Sequence, residues 1–150
     1  MAWFDIRDEI PWLPRSELHF ADGSSEKRLI DALSTLEFAI YTIDGNSISS
    51  EQDFFRISKS VFGFPDYCGL NWDAFQECMG EFDAHGSRRF AVIWRNAHIC
   101  ARRNLYGFCR ILHELLNLQT AFRIDPDDEG IEQFEVFFMG SGESFMSQQE

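Results

Sequence analysis

Residues 64–79 read Phe64-Pro-Asp-Tyr-Cys-Gly-Leu-Asn-Trp-Asp-Ala-Phe-Gln-Glu-Cys-Met79, and this stretch decides the fold. Pro65 and Gly69 make its first half a loop. Asn71 offers the side-chain oxygen that an opening helix needs for its orphan backbone N–H groups, so a short helix runs from there to about Met79. Asp73, Glu77 and Glu81 recur every four residues and therefore share one helix face. Trp72, Phe75, Met79 and Phe82 fall on the other face, which must be buried. Like charges at this spacing repel by roughly 0.2–0.5 kcal/mol per pair. A helix shaped by stability alone would more often carry Lys or Arg among them.

The acids have no compensation nearby. Residues 60–87 contain no Lys or Arg, yet they carry Asp66, Asp73, Glu77, Glu81 and Asp83. The chain of 150 residues has 13 basic against 25 acidic side chains, a formal net charge of -12. Phosphates would be repelled by such a surface, which argues against direct nucleic-acid binding. A basic protein partner fits, and so does simple solubility. Runs of like charge are most often solvated faces. The adjoining loop argues for contact instead, because Tyr67 supplies an aromatic anchor, Gly69 a flexible backbone, and carboxylates take Arg in a bidentate grip. A second acidic cluster, Asp125 to Glu135, contains Pro126 and Gly130 and reads as a solvated surface loop.

Working outward, Ser24 or Ser25 caps a helix to about Leu36, and Phe38–Ile43 is a strand closed by Asp44-Gly45-Asn46. Ser50 opens the next helix with Asp53 as its capping-box partner, and Gly63 stops it. Its apolar stripe is Phe54, Ile57 and Val61. Downstream, Arg89–Trp94 is a near-continuous apolar run suited to a strand covered on both faces. A helix over Leu105–Leu118 and a last strand over Phe134–Met139 follow. Residues 1–22 read as irregular, broken by Pro11 and Pro14, with Trp3, Phe4, Trp12, Leu18 and Phe20 suggesting short extended pieces pinned onto a core. Residues 141–150 read as a polar tail. Strands alternating with helices make this an α/β chain with a small parallel sheet and right-handed crossovers. A hydrophobic fraction of 45% with 16 Phe excludes disorder, and the length fits a single domain, 1–150.

Other chemistries find little support. The first 13 residues mix Asp5, Asp8 and Glu9 with Arg7 and lack the apolar run of a signal peptide. Phe90–Trp94 is far shorter than the ~20 residues of a membrane-spanning helix, so a cytoplasmic protein without membrane contact is expected. Cys68, Cys78, Cys100 and Cys109 then read as small, reduced residues. No Cys-x2-4-Cys pair is present and His98-x-Cys100 stands alone, so neither a metal nor another cofactor is expected. His19, His85, His98 and His113 are scattered, and no Cys lies in a nucleophile context. Asp73 and Glu77 could form an acid–base pair, but with no His or metal motif beside them they are weak candidates, and the chain reads as a non-enzyme.

Taken together, Tyr41-Thr-Ile-Asp-Gly45, the helix through Phe54 and Phe62, and residues 64–79 resemble the barstar family, small intracellular inhibitors of secreted-type ribonucleases. The family's hallmark is Pro-acid-aromatic-x-Gly-x-Asn-x-Asp-Ala followed by an acid and a Cys. Pro65, Asp66, Tyr67, Gly69, Asn71, Asp73, Ala74 and Cys78 match it. The resemblance covers about residues 38–140 and leaves 1–37 as an N-terminal extension. It implies a three-stranded parallel sheet flanked by helices. It also implies that the loop and acidic helix plug the active site of a basic nuclease or related toxin. Asp73 and Glu77 would present carboxylates to catalytic Arg, Lys or His in place of RNA phosphates. Tyr67 would pack on the partner, Gly69 would let the backbone approach closely, and Asn71 would fix the helix start, with Gln76 and Glu81 completing the face. Departures from the family pattern are Glu77, one methylene longer than the usual Asp, and Gln76, which removes an aromatic anchor. Glu114 on the penultimate helix is a candidate fourth contact. The alternative is an aromatic-rich structural or assembly module acting through a different protein partner.

Overall fold

A computed structural model describes residues 3–13, 18–124 and 130–141. In chain order its elements are a one-turn helix Ile6–Glu9 (α1), a strand His19–Asp22 (β1), helix Glu26–Thr35 (α2) and strand Ala39–Asp44 (β2). Helices Glu51–Phe62 (α3) and Trp72–Gly80 (α4) follow, then strand Arg89–Arg95 (β3), helices Ala97–Arg103 (α5) and Leu105–Ile124 (α6), and strand Gln133–Gly140 (β4).

The sheet is parallel throughout, in the order β1-β4-β3-β2. Ile43 pairs with Trp94, and Trp94 in turn with Phe138. The apolar runs of β3 and β4 belong to the two central strands, where both faces must be covered. Alternate residues of β3 serve two separate layers, as the two-residue period of a strand dictates. Phe90, Val92 and Trp94 face a core built with Phe54, Phe75, Met79, Ile111 and Leu115 from α3, α4 and α6. Ala91 and Ile93 face a second core with Ile6, Ile10, Leu29 and Leu33, contributed by α1, α2 and the residues beside them.

The three strands implied by the family resemblance are therefore β2, β3 and β4, and a fourth is added. Residues 1–22 are not uniformly irregular: His19–Asp22 pairs with Phe137–Gly140. Four residues are too few to show an alternation, and the partner strand lies at the far end of the chain. α1 and α2 cover the face that this edge strand completes.

One acid hidden inside β4 meets β1 directly. Glu135 is only 1% exposed, and its carboxylate lies 3.0 Å from Nε2 of His19. Gln133 donates to its other oxygen at 2.9 Å. Glu132 is also buried, with Arg88 at 3.4 Å and Arg89 at 3.2 Å. The reading of Asp125–Glu135 as a solvated acidic loop thus fails at its C-terminal end, because a buried carboxylate must be paired and these two are. Residues 125–129 of that cluster, and 142–150 of the tail, lie outside the described residues.

α5 starts after Asn96, which sits in the left-handed region (φ 55°) and gives its side-chain amide to Asp44 instead of capping the helix. α5 packs so closely on the turn after β2 that a Cβ on Gly45 would lie 2.5 Å from the Asn96 carbonyl oxygen and 2.8 Å from Cys100 Sγ. Among the described residues no helix is long and apolar enough to cross a membrane.

Candidate partner-binding site

α3 is the platform. Ser50 accepts from the Asp53 N–H at 3.2 Å, and Asp53 accepts from the Ser49 N–H at 2.8 Å, a reciprocal cap at the helix start. The Ser49 N–H, and then Arg56, hold the Asp53 carboxyl below the usual carboxylate range. At the far end Gly63 turns left-handed (φ 66°) and ends the helix. The chain then reverses in a turn closed by the Cys68 N–H on the Pro65 carbonyl, 2.9 Å. Tyr67 sits at the tip of that turn and is 78% exposed.

Asn71 begins α4 as the sequence requires: its Oδ1 accepts from the Ala74 N–H at 2.8 Å. Gly69 has a local reason to lack a side chain, because a Cβ there would press on Asn71 Nδ2 at 3.1 Å and disturb the cap. Trp72 is fixed from below, donating from Nε1 to Glu51 at 2.7 Å. Phe75, Cys78 and Met79 turn inward. Phe75 and Trp72 lie over Phe54, which stacks on Trp94, so a continuous aromatic layer supports the helix.

Asp73, Gln76, Glu77 and Glu81 are all exposed, and so are Tyr67, Gly69 and Asn71 in the loop leading to them. Glu81 stands at the C-cap rather than inside the helix. Gln76 donates to Glu114 of α6 at 2.9 Å, which brings that carboxylate to the edge of the acidic face. Sequence spacing alone had left Glu114 without a place. Burial above all pushes the Cys78 thiol up to about 11, with a hydrogen bond and charge from Cys68 and the carboxylates of Glu77 and Glu81 adding to it.

Asp73 and Glu77 have no imidazole among their described hydrogen-bond partners, and no group of three or more His, Cys, Asp or Glu among the described residues could hold a metal ion. His98 contacts Ser141, and Cys100 faces the Gly45 carbonyl at 3.1 Å. Exposed carboxylates on one face of this kind can pair with cations. Supporting residues that no periodicity marks are Glu51, which also meets Arg110 at 3.4 Å, Gln52 and Lys59.

The profile of the family described as Barstar (barnase inhibitor) matches residues 38–137. The chain belongs to the barstar family. The barstar match starts at Phe38, just ahead of β2, and ends inside β4. It encloses the loop, the acidic helix and Glu114, while α1, β1 and α2 precede it as an N-terminal extension. The family is an inhibitor family. Comparison with curated proteins gives no match.

Proposed function

We propose that this barstar-family protein is a non-enzymatic inhibitor, an immunity protein that occludes the active site of a basic ribonuclease or related toxin. One observation carries this reading: Asp73 and Glu77 stand exposed on a helix, and Glu81 at its C-cap, within a segment, residues 60–87, that holds no Lys or Arg. That helix lies in the matched region. Carboxylates fixed on a helix can pair with the Arg, Lys or His that would otherwise hold RNA phosphates. Tyr67 packs on the partner beside them. Gly69 and Asn71 set the loop and the helix start, while Gln76 and Glu81 complete the contact. The protein acts in the cytoplasm as a single domain, with residues 38–140 as the inhibitory core and without cofactor, membrane or direct nucleic-acid contact.

A pull-down from the source cells tests this, run with the parent and with the Asp73→Ala/Glu77→Ala double variant. A basic nuclease retained by the parent and lost by the variant is the expected result. Equal retention of every captured protein by both would remove the acidic face from the interface.

A further inference from the structure

The recognition loop is held in shape from outside itself. Lys59 Nζ donates to the carbonyl oxygen of Asp66 at 2.9 Å and to that of Cys68 at 3.2 Å. These two carbonyls bracket Tyr67. Two helical turns earlier on α3, Gln52 Nε2 donates to the Leu70 carbonyl at 3.1 Å. Residues seven apart lie on the same side of a helix, so a single flank of α3 holds three carbonyls of one five-residue segment, residues 66–70.

The identity of the cation matters. Lys59 is the last basic residue before the segment free of Lys and Arg, and its described hydrogen bonds go to backbone carbonyls rather than to a carboxylate. Fixing a lysine chain costs rotamer freedom. What it gains is charge-assisted hydrogen bonding to a segment anchored at its centre by the buried Cys68 and the turn bond to Pro65, but carrying a largely exposed tyrosine at its tip. Burial of Tyr67 does not explain that shape, because the ring is in water.

We infer that Lys59 and Gln52 are positioning residues that preorganise the 66–70 loop, so that Tyr67 meets the partner without first having to be ordered. The inference rests on the proposed reading that this loop meets the partner. A loop already in its bound shape binds more tightly because the ordering cost is met in the free protein. The neutral variant Lys59→Met removes the donor and keeps the apolar stem, whereas Lys59→Arg keeps a cationic donor.

Amide hydrogen exchange on the full chain decides the matter together with binding to barnase as the probe. In Lys59→Met, and further in the double variant with Gln52→Ala, amides of residues 66–70 should exchange roughly tenfold faster or more, while amides of β4 and α6 keep the parent's rates. Lys59→Arg should restore much of the protection, and barnase affinity should fall and recover in parallel with it. Unchanged loop exchange in every variant overturns the inference. So does acceleration spread evenly over α3, β4 and α6, which would make Lys59 a general stabiliser acting at the α3 C-terminus. A loosened loop with unaltered barnase affinity would also refute the positioning role. Failure of the parent to bind barnase counts against that choice of target, and the exchange data then decide the latch by themselves.

Discussion

Gln76 on α4 donates a hydrogen bond of 2.9 Å to Glu114 on α6, joining two helices that lie 38 residues apart at this point. Where the family pattern has an aromatic anchor, this chain has an amide that holds a further carboxylate beside the acidic face. The bond is exposed, so its own contribution to stability is small. Glu114→Ala should therefore leave unfolding within about 0.5 kcal/mol of the parent. Binding to a basic partner should weaken by about 1–2 kcal/mol, because one rim charge is lost. Calorimetric titration beside a thermal melt separates the two effects. Unchanged affinity would place Glu114 outside the interface.

The N-terminal extension is fastened by a buried pair. His19 and Glu135 are 4% and 1% exposed, so His19→Ala leaves an interior carboxylate with the Gln133 amide but without the imidazole. Leaving a buried acceptor short of a hydrogen-bond partner costs about 1–3 kcal/mol. Urea unfolding should show this drop, and added salt should change it little, since a buried pair is weakly screened. A loss below about 1 kcal/mol would mean that β1 is held by its backbone ladder and the apolar contacts of Phe20 and Ala21.

Thiol chemistry separates the four cysteines. Cys109 is exposed, whereas Cys68, Cys78 and Cys100 are buried. Alkylation of the native protein at pH 8 should mark Cys109 first. Cys78, raised to about 11, holds only ~10⁻³ of its sulfur as thiolate at that pH. The folded state favours the neutral thiol, so this contribution is intact below the ordinary value of 9.0 and is lost as pH rises through about 11. Stability should consequently decline on the alkaline side across that window, and Cys78→Ala should flatten the decline. Equal alkylation of Cys78 and Cys109 in the native state would contradict the burial.

The inhibitor-like half of the molecule was legible because its signals are local. Asn71 capping Ala74, acids spaced four apart and the apolar run of β3 each follow from residues close together in the chain. β1 was hidden for the opposite reason: its four residues become a strand only by pairing with Phe137–Gly140. Glu132 and Glu135 looked solvated because a carboxylate in sequence shows nothing of the Arg88, Arg89 or His19 that will meet it. α5 is a short helix of seven residues whose N-cap, Asn96, gives its side chain to Asp44, a contact no local pattern shows. Gly69 reads in the sequence as a point of close approach to a partner, and only the fold shows that a Cβ there would also press on the Asn71 cap. Lys59 and Gln52 were invisible as loop supports, since only the folded turn brings carbonyls to them.

The most direct measurement is the affinity and dissociation rate of barnase, or of the basic nuclease captured from the source cells, for the parent, Asp73→Ala and Glu77→Ala, with Asp31→Ala on α2 as a control. Asp31 is exposed and its hydrogen bonds stay within α2, with Lys27 and Thr35. Each of the two α4 substitutions should weaken the complex by about 2–5 kcal/mol, mostly through faster dissociation, and Asp31→Ala should not; that range is borrowed from charged interfaces for which barnase–barstar is itself the reference pair. Binding by both α4 variants as tight as that of the parent would contradict the central claim that the acidic helix is the inhibitory surface.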